Sequence, residues 1–190
     1  GVPFVIDDTI CSTANVRVDQ YADVVVSSLT KWISGKGDVM AGQITICNKS
    51  PFLNDLMEFY GIDCPDGSRL YASDARILAR NISGFSSRMK KCNDSAELVA
   101  DFMKAHPAIE NVWYPKFTTP DTYEAIRREG GGYGGLISFV LKNRKKTPRF
   151  YDALRISKGP SLGTEFSLAC PYTMLAHYDE MEWVEGCGLD

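Results

Sequence analysis

Apolar positions along the chain follow two rhythms. Short apolar runs bounded by turn residues predict buried strands over residues 2–7, 23–27 and 39–47. The third run contains Gly42, a position where a strand bends or another backbone approaches closely. Helical spacing predicts a helix through Tyr60, with Phe52, Leu53, Leu56, Met57 and Tyr60 on one side. Pro51 suits its first position, and Gly61 ends it. A second helix is predicted over 68–80 and a longer one over about 82–105, weakened at Gly84 and Asn93. His106-Pro107 stops that helix. Beyond it the pattern predicts a strand over 109–114 that Pro115 ends, a helix over 121–127, a strand over 136–141 and a helix over 147–155. A domain boundary is expected near His106-Pro107. Residues 1–106 read as part of a large α/β domain with a mostly parallel sheet, and 107–190 as a smaller α+β domain.

Candidate chemistry gathers in the first part. Ser27-Ser28-Leu29-Thr30-Lys31-Trp32 follows the apolar run Val24-Val25-Val26 and leads into a glycine-bearing loop. A lysine at the mouth of a strand can be partly desolvated, which disfavours its ammonium form. A neutral amine is the species that attacks an aldehyde to form a Schiff base. Ser28 and Thr30 could donate to a phosphate. Val5-Ile6-Asp7-Asp8-Thr9 is a short strand ending in two carboxylates, and Asp7 could hold a protonated pyridine nitrogen. Together these groups suit pyridoxal phosphate (PLP), which offers an aldehyde, a phosphate and a ring nitrogen. Neighbouring parallel strands would bring them to one site at their carboxyl ends. Taken singly, the commoner readings are an exposed lysine after an edge strand and a solvated or capping pair of aspartates.

The glycine run Gly130-Gly131-Gly132-Tyr133-Gly134-Gly135 is followed by a strand rather than a helix. A mobile connector is therefore expected there, not a nucleotide loop. Composition narrows the field further. The chain has 190 residues, of which 44% are hydrophobic and 24% charged, as in ordinary globular proteins. The net charge is −3. The one basic cluster, Lys142 to Lys146, reads as a solvated loop, so no nucleic-acid partner is expected. No apolar run is long enough to span a membrane. The six cysteines form no CxxC pair and there are two histidines, so no metal site is expected. Free thiols in a reducing, cytoplasmic compartment are the expectation. Cys64, before Pro65, reads as a plain loop thiol.

Asp7-Asp8-Thr9, Ala22-Asp23-Val24-Val25-Val26-Ser27-Ser28-Leu29-Thr30-Lys31 and Gly37-Asp38-Val39-Met40-Ala41-Gly42 resemble the Cys/Met-metabolism family of PLP enzymes. That family includes cystathionine γ-synthases, cystathionine lyases and O-acylhomoserine sulfhydrylases. The resemblance continues through Leu78-Ala79-Arg80-Asn81, Arg88-Met89, Ala96 to Pro115, Gly134 to Phe139 and Ser161-Leu162-Gly163-Thr164-Glu165. It departs from the common pattern at Gly163 to Leu168 and at Cys170-Pro171, which look like the fungal branch of cystathionine γ-synthases.

The resemblance implies an aspartate-aminotransferase-like fold of type I, with Lys31 as the Schiff-base lysine. It implies Asp7 on the pyridinium, Ser28 and Thr30 on the phosphate, and Ser161 on the substrate carboxylate. The implied reaction is γ-replacement of an O-acylhomoserine by cysteine to give cystathionine, as in methionine biosynthesis. Its sisters, C–S lysis and sulfhydrylation, need the same core residues. A non-catalytic interaction domain on this fold is the reading of another class. Amino-acid substrates and a homo-oligomer, dimer or tetramer, are expected. The chain opens at Gly1-Val2-Pro3 directly before a core strand and stops at Asp190 with no finishing element. A piece of a longer protein is therefore expected, inactive alone. The upstream part would carry a ring-stacking tyrosine, and the downstream part an arginine for the carboxylate.

Overall fold

A computed structural model describes residues 1–61 and 70–187. Cys64 and the start of the helix expected from residue 68 lie outside them. The first sheet has three strands in the order β1 (Val5–Asp7), β2 (Val24–Ser28), β3 (Gly42–Ile46). Strand β2 forms because three β-branched valines in succession favour a pleated, two-sided environment. It is parallel to β1 and antiparallel to β3. The sheet is thus half parallel in its pairings, where a mostly parallel one was expected. The loop after Lys31 turns the chain straight back, so β3 needs no crossover helix.

Asp23 ties the three strands together. Its carboxylate accepts the Phe4 N–H at 2.8 Å and the Ser50 hydroxyl at 2.6 Å. Those two bonds hold its carboxyl below the ordinary range. On one face of the sheet, Ala22, Val25 and Cys47 are buried against Ile6 and Val18.

Helix α1 (Leu53–Tyr60) ends on Gly61, whose φ of 58° puts it in the left-handed region. Helix α2 (Ala72–Asn81) and the 21-residue α3 (Phe85–Ala105) are separated at Gly84, φ 78°. One long pattern of apolar residues therefore resolves into a corner and a helix. Helix α3 buries Ala96 and Ala100 against Tyr114, with Val112, Phe117, Tyr133 and Ile137 packed around them. Alanines let the second sheet approach closely.

That second sheet pairs β4 (Ile109–Trp113) with β5 (Ser138–Leu141), antiparallel. Pro115 ends β4 as expected, but it also opens the short helix α4 (Pro115–Thr118), since a missing N–H costs nothing in a first turn. Helices α5 (Pro120–Ile126) and α6 (Thr147–Ala153) follow, then two-residue strands β6 (Ser157–Lys158) and β7 (Leu168–Ala169), and α7 (Tyr172–Ala176) and α8 (Met181–Gly186).

The glycine run differs most from expectation. Residues 131–135 are not a mobile connector but a packed joint. A methyl group on Gly131 would lie 2.5 Å from the Asn15 carbonyl oxygen, and one on Gly132 would lie 2.5 Å from Asn93 Cβ. One on Gly135 would collide with Cys92 Sγ and the Trp32 ring. Asn15 is fully buried. Its Oδ1 accepts from Asn93 Nδ2 at 2.7 Å and from the Gly132 N–H at 3.1 Å. Asn93 Oδ1 accepts the Gly134 N–H at 3.1 Å. The glycines are there for close approach, and two asparagines satisfy the buried backbone.

Candidate active site

Strand alternation places Asp7 and Ser28 on one side. Asp7 pairs across the sheet with Val26, and Ser28 follows two residues later on the same face. Both line a concavity of about 720 Å³ with Thr9 and Ser27, floored by Val26, Ile44 and Ile46. Asp7 Oδ1 accepts the Thr9 N–H at 2.9 Å, and Thr9 Oγ1 accepts the Ser28 N–H at 2.8 Å. Thr9 thus fixes the strand-end carboxylate and the strand-end serine relative to each other. The Ser28 hydroxyl makes no capping bond to the turn that follows.

That turn, Leu29–Ile33, is of the wide π type and is broken at Lys31, with φ −80° and ψ −123°. Such single π turns recur at functional sites. Thr30 anchors its start: its Oγ1 accepts the Ala41 N–H at 3.0 Å and donates to the Ala41 carbonyl at 3.4 Å. The second bond is at the long limit, so the hydroxyl proton is only weakly engaged. Trp32 is buried and donates its indole N–H to the Ile10 carbonyl at 3.1 Å.

Lys31 itself is half-buried, and its Nζ donates to Ser161 Oγ at 2.9 Å. These two residues are 130 positions apart. Gly163, at φ 81°, presses on the same turn: a methyl group there would lie 2.7 Å from the Trp32 nitrogen and 2.8 Å from Lys31 Cβ. The Glu165 N–H donates to the Gly35 carbonyl at 2.8 Å, and its carboxylate pairs with Lys36. The departure from the common family pattern at Gly163 to Leu168 therefore leaves Glu165 in an ion pair with Lys36.

Five residues singled out in the sequence thus fall into two contact sets joined by one turn. Asp7 and Ser28 share the concavity, Lys31 meets Ser161, and Thr30 holds the loop between them. A model of the family described as Cys/Met metabolism PLP-dependent enzyme matches residues 1–182. The chain belongs to the Cys/Met metabolism PLP-dependent enzyme family. The family's cofactor is pyridoxal phosphate. A cystathionine γ-synthase of Neurospora crassa is 42% identical over 187 residues, 98% of this chain and 30% of that protein. The cystathionine γ-synthase of Saccharomyces cerevisiae is 34% identical over 98% of this chain and 30% of its own length. Among solved structures, cystathionine γ-synthase from Xanthomonas oryzae in complex with aminoacrylate and cysteine matches with a TM-score of 0.80. The identity is 24%, over all of this chain and 49% of that one. This chain therefore shares the fold of the matched half of that structure, and spans about a third of the length of the curated relatives it matches.

No role follows from the sequence for several residues that shape this candidate site. Asp8, beside Asp7, is 2% exposed, and neither of its carboxylate oxygens finds a partner among the described residues. Burial pushes its carboxyl up, the nearby Ser27 hydroxyl opposes that without closing a bond, and the Asp7 charge adds to the rise. Arg88 and Asn81 hold the far side of the Lys31 turn. The sequence signal for them was present, in Asn81 after Leu78-Ala79-Arg80 and in Arg88-Met89, but it carried no chemistry by itself. Among the described residues, no three His, Cys, Asp or Glu gather to hold a metal, and no helix is long and apolar enough to cross a membrane.

Proposed function

We propose that the full-length protein is a PLP-dependent transsulfuration enzyme of the cystathionine γ-synthase kind, replacing the γ-acyloxy group of an O-acylhomoserine by cysteine. The 2.9 Å contact between Lys31 Nζ and Ser161 Oγ carries this reading. It joins the one lysine set in a broken turn at a strand end to a hydroxyl from the far part of the chain. The donor set also fits the cofactor: an amine and two hydroxyls stand at the end of β2 and on its turn, and a carboxylate stands at the end of the neighbouring β1.

In this reading Lys31 Nζ is the attachment point. Asp7 holds the proton on the ring nitrogen, with its carboxylate oriented by the Thr9 N–H. The Ser28 and Thr30 hydroxyls receive the phosphate, and the Ala41 backbone keeps Thr30 in place. When bound, the cofactor supplies an acceptor for the electron pair left by a broken C–H bond. Freed from the cofactor, the Lys31 amine, held close by the chain it hangs from, would be the base and acid at the substrate's α and β carbons. Ser161 binds the substrate carboxylate once Lys31 leaves it. The cysteine sulfur would then bond the γ carbon in place of the acyloxy group, which leaves as a carboxylate.

Residues 1–106 would belong to the large cofactor-binding domain and 107–190 to the smaller one, in a cytoplasmic homo-oligomer. The test is an assay of the full-length protein with O-acylhomoserines and cysteine. Cystathionine should form, and Lys31→Ala should lower kcat by at least about a thousandfold, the loss of both attachment and proton transfer. Turnover by Lys31→Ala at the wild-type rate would refute the reading, and release of thiol or hydrogen sulfide as the main product would favour the sister lyases.

A further inference from the structure

The end of the Lys31 turn has an unusual partner. A continuing helix would use the carbonyls of Trp32, Ile33 and Ser34 for its own N–H groups. Here the turn stops, and one guanidinium donates to all three. Arg88 Nη2 donates to Ile33 O at 2.7 Å and to Trp32 O and Ser34 O at 3.3 Å each. Its Nη1 donates to Asn81 O at 2.9 Å and Ser83 O at 3.1 Å. Every one of these acceptors is a backbone carbonyl. Gly35, at φ 72°, brings the backbone against the same guanidinium, where a methyl group would lie 3.0 Å from Arg88 Nε. Asn81 adds a second grip: its Nδ2 donates to Ser34 Oγ at 3.0 Å and to Asp38 Oδ1 at 2.7 Å. Asn81 is 4% exposed.

We propose that Arg88, with Asn81 beside it, is a positioning residue for Lys31, fixing the broken turn so that the Lys31 amine points at Ser161 and the reacting atoms. This rests on the function proposed above. Arg88 reaches the turn from α3 and Asn81 from α2, while Gly163 presses on its backbone at Lys31 and Trp32. The lysine is thus held between the helical corner and the 161–165 segment. A planar guanidinium suits the task because its fork addresses several carbonyls at once; an ammonium of similar reach does not. Small errors in the position of a reacting group are costly in rate, about a hundredfold for 1 Å.

The experiment uses the full-length protein loaded with cofactor. Arg88→Lys and Asn81→Ala are compared with wild type and with Ala96→Gly, a change on α3 that loosens the helix without touching the turn. Three quantities are read: the fraction of Lys31 that borohydride fixes to the cofactor, the pH midpoint of the cofactor's visible absorbance, and kcat against KM. For Arg88→Lys the expected outcome is a displaced pH midpoint and a kcat lower by roughly ten- to a hundredfold, with KM within about twofold. Asn81→Ala should shift both in the same direction by less, and Ala96→Gly should shift neither. Should Arg88→Lys fail to fold, Asn81→Ala decides alone. Wild-type midpoints and kcat in the folded variants would overturn the proposal, as would equal shifts in Ala96→Gly. Wild-type protein that fixes no cofactor on Lys31 would instead refute the function on which it rests.

Discussion

Asp8 is a carboxylate buried more deeply than its surroundings compensate: the Ser27 hydroxyl and the Arg128 charge oppose its rise without cancelling it. Its two oxygens are enclosed without a hydrogen-bond partner among the described residues, one position from a carboxylate that the proposed mechanism needs ionised. Its folded-state pKa lies above the ordinary 3.8. A raised carboxylate favours folding while protonated, and that advantage is lost as pH rises through the folded value. Asp8→Asn should therefore stabilise the protein at pH 8 by about 1–2 kcal/mol, the penalty of an unanswered buried charge, and the gain should vanish near pH 4. Thermal melting across that range checks it; a gain that grew toward low pH would contradict the account. The sequence singled out Asp7 and gave its neighbour Asp8 no role. Only the pleat separates them, turning Asp7 toward the concavity and Asp8 into the interior.

At the scale of elements, the strands and long helices were legible because their apolar periodicity is strong. Strands β1 and β3 fall within the expected runs, β2 is shifted by one residue to Val24–Ser28, and α1 and α3 differ from expectation by two to three residues at their starts. The wide turn at Lys31 was not legible, since no side-chain pattern marks a π turn. The glycine run was misread for a physical reason. Glycine permits mobility and close packing alike, and the partner that decides between them, Asn93, lies about 40 residues away in the chain. The distinction is testable. Gly132→Ala forces a methyl group against Asn93 and should lower stability by about 1–3 kcal/mol, as overpacking does. Gly186→Ala has nothing within 4 Å and should be neutral. Equal melting temperatures for the two would mean that the run is a loose connector after all.

Taken whole, the molecule exposes more surface than its mass warrants. Its accessible area is 12646 Å² for 21.1 kDa, against about 9,000 Å² for a compact monomer of that mass. The excess is partly apolar: Val2 is 88% exposed and Met40 82%, and Phe4, Val5 and Ile44 each more than half. Exposed apolar area on this scale associates or is covered. The chain produced alone should bind a hydrophobic dye and elute as a broad, heterogeneous species on gel filtration, whereas the full-length protein should stay dye-silent and elute as one sharp oligomeric peak. A monodisperse, dye-silent 190-residue monomer would contradict this.

The central claim is that Lys31 carries the cofactor. The most direct test is to add pyridoxal phosphate to the full-length protein, reduce with borohydride and locate the pyridoxyl group by mass spectrometry. The account predicts one modified peptide, bearing the label on Lys31. A folded protein labelled at another lysine, or at none, would contradict it and leave a relative that acts by binding rather than by catalysis.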